Sequence, residues 1–158
     1  MSTFRRILMA TDFSEASLPA WDRALSLAAD YGADLFLVHA YEPPNLVHTG
    51  GIAPGHYEEW DQAVRAAANQ KLDLLVAHAR KVGIRAHRSV EAGDADEAVI
   101  KAAKALEADL IVMGTHGRTG VSRMLLGSVA SHVIATAPCP VLTVRVPERP
   151  KLANAAGA

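Results

Sequence analysis

A single cysteine, Cys139, means that no internal disulfide can form, and it fits a reducing compartment. No apolar run approaches the roughly 18 residues needed to span a bilayer. Met1-Ser2-Thr3 leads directly into strand-like sequence with no signal peptide, so a cytoplasmic location and no membrane association are expected. Excess charge of either sign is missing too. The formal net charge of −1 leaves no electrostatic footprint for nucleic acid. Seven histidines invite a metal hypothesis, but none shows His-x3-His spacing, so no dedicated metal site is expected. Cys139 lies between Pro138 and Pro140, which favours a packed turn residue over a catalytic thiol.

What is present is a globular composition. Half of the 158 residues are hydrophobic and 21% are charged, enough for one domain with a real core. Residues 1–147 are expected to form that domain and 148–158 a frayed tail. Buried strands are expected over Arg6–Thr11, Ala33–Ala40 and Asp109–Met113, and a fifth strand over Val141–Val146. Ile84–Val90 alternates apolar with polar residues, as an edge strand does.

Helical stripes lie between these strands. Leu18, Trp21, Leu25 and Ala28 fall on one face of a first helix; Pro19 suits a cap at Ser17 better than one at Ser14. A long amphipathic helix spans His56–Val82 and ends at Gly83. Asp94 with Glu97 resembles a capping pair opening a third helix that carries Val99, Ala103 and Leu106. Val129, Val133 and Ile134 share a face of a fourth. Tyr41–Gly55, rich in proline and glycine, reads as a long mobile loop. Strands alternating with helices give a parallel sheet covered on both faces, an open doubly wound α/β fold of Rossmann-like type.

The stretch most suited to chemistry runs from Gly114 to Ser128, between a buried strand and a helix start. Glycines permit close backbone approach, and the free N–H groups of a first helical turn point at an anion. Gly114 and Gly117 are two residues apart, and Gly127-Ser128 follows nine residues later. No Gly-Lys-Ser/Thr follows, so this is not a P-loop, and GxGxxG is also absent. Arg118 and Arg123 either screen a bound triphosphate or are simply solvated loop residues. The glycines themselves could be no more than turns, with Ser128 a helix cap.

The G-x2-G-x9-G-Ser spacing has Val-Met before it and Ala-Pro-Cys-Pro-Val-Leu-Thr-Val after it. Together with Ala10-Thr11-Asp12-Phe13-Ser14, it resembles the universal stress protein family, more narrowly its ATP-binding branch. The resemblance runs from about Arg5 to Arg145. It implies a five-stranded sheet of order 3-2-1-4-5, with Asp12 and Gly114 beyond adjacent strands at the topological switch point. It also implies that Gly114, Gly117, Gly127, Ser128 and Val129 contact the triphosphate or ribose and that Met113 lines the pocket. Ala10, Thr11 and Ala40 are expected around the adenine. Asp12 could accept from ribose hydroxyls, help hold a metal, or cap the first helix. ATP, carrying magnesium on its phosphates, is the implied cofactor.

Family members dimerise through the last strand, so a homodimer using Val141, Leu142, Thr143, Val144, Arg145 and Val146 is expected. Neither motif contains a lysine, so hydrolysis is weakly supported. A nucleotide-responsive stress or signalling module is the leading reading. Slow ATP hydrolysis or autophosphorylation, and a nucleotide-free structural dimer, stay open as alternatives.

Overall fold

Arg6–Ala10 forms the first strand, β1, and its side chains alternate between two separate cores. Ile7 and Met9 point one way and Leu8 the other, each 0% exposed. Only a central strand covered on both faces buries such a run completely, and each of these side chains contributes about 1.5–3 kcal/mol of burial free energy. A computed structural model of the protein describes residues 3–44, 54–116 and 126–146.

A 3-10 turn at Glu15–Ser17 leads into α1, Leu18–Tyr31, with Ser17 at the N-cap and Pro19 in the first turn. Proline is tolerated there because the first N–H groups have no intrahelical partner. The buried stripe of α1 is Ala20, Trp21, Ala24 and Ala28, whereas Leu18 is 52% exposed. The expected stripe is therefore rotated: small alanines let the helix sit close to the sheet, and Leu18 at the helix start overhangs it.

β2 is Asp34–Tyr41, α2 Pro54–Lys81 and β3 Ala86–Ala92. α2 buries Ala68, Leu72, Val76 and Ala79, while Val82 lies beyond its end and is exposed. α3 is Ala95–Leu106, β4 Leu110–Gly114, α4 Ser128–Thr136 and β5 Val141–Val144. The Asp94–Glu97 capping pair does not form, because the Asp94 side chain makes no cap bond. Instead Asp96 Oδ1 accepts the Glu97 N–H at 2.9 Å. On α4, Ala130 and Val133 are buried and Ile134 is exposed, so the inward face lies one residue away from the expected one. β5 ends at Val144, leaving Arg145 and Val146 beyond the strand.

All pairings are parallel and the order is β3-β2-β1-β4-β5. α1 and α2 pack on the face that carries Ile7, Met9, Leu35, Leu37 and Val112. Residues of α3 and α4 pack on the other, against Leu8, Val38, Ile111 and Met113. The helices change sides where β4 is laid beside β1, which makes that junction the switch point. Below it, at the opposite end of these two strands, the Asp109 carboxylate accepts the backbone N–H groups of Arg5 and Arg6 at 2.7 and 2.8 Å.

Among the described residues no helix is long and apolar enough to cross a membrane.

Candidate functional site

Where β1 ends, the chain folds into a turn held almost entirely by its own polar side chains. Asp12 Oδ1 accepts the Ser14 N–H at 3.0 Å and the Ser14 hydroxyl at 2.6 Å, an Asx turn. Ser17 donates its hydroxyl to the Ser14 carbonyl at 2.8 Å. With that proton used, the 3.2 Å pair between the Thr11 and Ser17 hydroxyls has Thr11 as donor. Thr11 Oγ1 in turn accepts the Phe13 N–H at 3.1 Å. Thr11 and Ser17 are both buried, so each hydroxyl needs these partners.

The exit of β4 is built on close backbone approach. A Cβ on Gly114 would stand 3.2 Å from the Ala16 carbonyl oxygen, and one on Gly127 would stand 2.9 Å from that of Thr115. The second distance is shorter than a real side chain tolerates, so Gly127 lets the helix start lie against the β4 exit. Its own N–H donates to the Thr115 carbonyl at 2.9 Å. Thr115 Oγ1 pairs with His116 Nδ1 at 3.0 Å, and His116 Nε2 is buried with no hydrogen-bond partner among the described residues.

Between these two exits lies a cavity of about 270 Å³. Ala10, Thr11, Asp12, Ala40, Met113, Gly114, Gly127, Ser128 and Val129 all line it. Gly117, Arg118 and Arg123 lie outside the described residues. The wall also includes Ser17, Val38, Ala95, Val99, Thr115, His116 and Ala130, which the motifs alone did not single out. Thr115 and His116 sit inside the glycine-rich stretch and could have been named. Ser17, Ala95 and Val99 are brought in by helix packing, which has no local signal.

Three helices begin at this cavity, since Ser17, Ala95 and Ser128 each line it at the start of α1, α3 and α4. None of the three N-caps makes a side-chain cap bond. The starts differ in charge. α3 carries Asp94 at its cap and Asp96 and Glu97 in its first turn, which oppose an anion. α1 and α4 have no acidic residue in the first turn, and since Pro19 removes one N–H from the start of α1, α4 offers the fuller set of N–H groups suited to an anion.

The lining also has apolar side chains, Ala10, Val38, Ala40, Val99 and Met113. The two flanking helices are tied across the outside by His132 Nδ1 and Asp96 Oδ2. His132 lies half-exposed on α4 rather than packed inward. Its hydrogen bond, followed by that of the Glu97 N–H, outweighs burial and holds the Asp96 carboxyl below its usual range. Among the described residues no group of three His, Cys, Asp or Glu side chains could hold a metal ion.

The fold and cavity together define a doubly wound α/β protein with a crevice at its switch point, where ligands bind in open α/β sheets of this kind. A profile described as the universal stress protein family matches residues 3–145, and the chain belongs to that family. Universal stress protein MJ0531 of Methanocaldococcus jannaschii is 33% identical over 146 residues, covering 92% of this chain and 85% of that protein. A universal stress protein of Thermus aquaticus is 35% identical, covering 90% and 99%.

Among solved structures, the hypothetical protein MJ0577 superposes with a TM-score of 0.82 at 25% identity, covering 94% and 100% of the two chains. A universal stress protein solved in complex with cAMP gives 0.62 at 28% identity, covering 91% and 98%. One from Archaeoglobus fulgidus, solved in complex with dAMP, gives 0.62 at 22% identity, covering 91% and 100%, a likeness of fold.

Proposed function

We propose that the cavity binds an adenine nucleotide, ATP with magnesium on its phosphates, and that the protein is a nucleotide-responsive stress or signalling module. The observation that carries this reading is the lining of the cavity, which joins the apolar side chains of Ala10, Val38, Ala40, Val99 and Met113 to the uncapped, acid-free start of α4. A planar base suits the first and phosphates the second. The complex of a relative with cAMP supports an adenine ligand. Magnesium would arrive on the phosphates, since Asp12 is the one carboxylate on the described wall. Gly117, Arg118 and Arg123 are proposed as further contacts on the phosphate side.

Titration calorimetry of ATP, ADP and AMP with magnesium tests the reading directly. Wild type should bind, and Ser128→Ala, which loses only a hydroxyl, should weaken ATP by about two- to tenfold, the value of one neutral hydrogen bond. A wild type that binds none of the three nucleotides would overturn it.

We also propose a two-fold homodimer through β5 and the residues that follow it, Val141–Val146. All four residues of β5 are half-buried at what is the edge of the sheet among the described residues, and Val146, two residues beyond it, is 52% exposed. Light scattering at micromolar concentration should give the mass of two chains. A single-chain mass would show that this edge is left unpaired.

A further inference from the structure

We propose that His39 is a positioning residue for the cavity, whose ring N–H holds the Thr11–Ser14 turn in the shape that presents Asp12. This rests on the nucleotide reading of the cavity. His39 is 7% exposed and sits on β2 between Val38 and Ala40, both of which line the cavity. Alternation along a strand turns its own side chain to the opposite face of the sheet, so it does not reach a ligand there. It reaches the turn instead, since His39 Nδ1 lies 2.8 Å from the Thr11 carbonyl oxygen. A carbonyl only accepts, so the proton is on Nδ1, and the tautomer follows from the geometry. The neighbouring Val38 carbonyl accepts the Thr11 N–H at 3.0 Å. β2 therefore grips Thr11 by the peptide groups on both sides.

The residue beyond Thr11 and Asp12 shows why such a grip is needed. Phe13 has φ 61°, in the left-handed region that a bulky side chain rarely adopts. Its ring lies against the His39 imidazole with centroids 4.3 Å apart and an interplanar angle of 36°. Lys71 of α2 adds its ammonium 5.2 Å from the centre of the Phe13 ring. If Phe13 returned to ordinary backbone angles, Ser14 would swing away and both bonds to the Asp12 carboxylate would break. Strain of this kind persists only where the surroundings over-determine it, and it gathers at functional sites. His39 supplies the hydrogen bond before the strained residue and a ring surface on it.

Two substitutions separate the donor from the ring. His39→Asn places a side-chain N–H near the position of Nδ1 and removes the ring, while His39→Phe keeps a ring against Phe13 and removes the donor. In the nucleotide-free protein, His39→Phe should speed amide exchange of Phe13 and Ser14 by about tenfold while exchange in β4 stays put. His39→Asn should stay within about threefold of wild type. ATP affinity should follow the same split, weakened about tenfold by His39→Phe and largely kept by His39→Asn. Ring-nitrogen NMR of the wild type should find the proton on Nδ1.

A proton found on Nε2 alone would overturn the proposal, and so would uniform loss of protection in both variants with unchanged ATP affinity, the mark of an ordinary core residue. If the wild type binds no ATP, the nucleotide reading fails. The exchange and ring-nitrogen results still decide whether His39 sets the turn.

Discussion

A Gly127→Val protein should lose most of its nucleotide affinity and also melt several degrees below wild type. The expectation follows from one distance: any Cβ at this position meets the Thr115 carbonyl oxygen at 2.9 Å. That oxygen is main chain and already accepts the Gly127 N–H, so it cannot swing aside. To admit the side chain, the start of α4 must lift away from the β4 exit. Overpacking of this kind costs about 1–3 kcal/mol. In a protein of this size that is roughly 2–12 °C in melting temperature. The same lift withdraws the α4 N–H groups from the cavity, so ATP affinity should fall by more than about tenfold. Thermal melts and calorimetry read the two effects separately. A stable variant with unchanged affinity would mean that this contact positions nothing.

Asp109→Ala should destabilise the fold without touching the cavity. The carboxylate, just before β4, accepts two backbone N–H groups, from Arg5 and Arg6, at the start of the neighbouring β1. Hydrogen bonds to a charged acceptor contribute about 1.5–3 kcal/mol, and alanine leaves both donors without a partner in the protein. Burial acts to raise the Asp109 pKa, but the two backbone donors and the charges of Arg6 and Arg5 prevail and hold it below the usual carboxylate value. A depressed folded-state pKa stabilises the fold above the unfolded value, about 3.9, and that contribution disappears as pH falls through the folded value. The gap between wild type and Asp109→Ala should thus be constant from about pH 7 to 5 and close below about pH 4. Urea unfolding at a series of pH values checks it, and a gap that persists undiminished in acid would assign the loss to packing instead.

The two-faced burial was legible because β1 and β4 are short apolar runs, a pattern that central parallel strands carry. The strand order followed from the family resemblance, since apolar periodicity does not say which strands are neighbours. The cap of α1 was legible because proline restricts where a helix can begin, and Ser17 then follows. Helix rotation was less so. Leu18 and Ile134 are apolar enough to be counted inward, yet alanines at 20, 24 and 130 hold the inward positions, since a close helix leaves no room for branched side chains. Asp94 and Glu97 have the residue types of a capping box, but Asp96 takes the Glu97 N–H instead. In the cavity, residues after β1 and β4 could be named because a turn or glycine spacing marks them. Ala95 and Val99 enter only through the packing of α3, and no motif announces an alanine.

The switch point also has a consequence for how the protein is made. Among the described residues the cavity walls come from 10–17, 113–116 and 127–130, with Val38, Ala40, Ala95 and Val99 between, so they are drawn from separate parts of the chain. The β1 and β4 strands that bring the two ends together pair Ile7 with Leu110 and Met9 with Val112. A chain emerging from the ribosome can form β1, α1 and β2 locally, but the crevice does not exist until β4 has been synthesised and inserted beside β1. A ligand held there therefore stabilises only the completed sheet, by about 2.7 kcal/mol at a hundredfold excess over its Kd. Occupancy is a report that the last long-range pairing has closed.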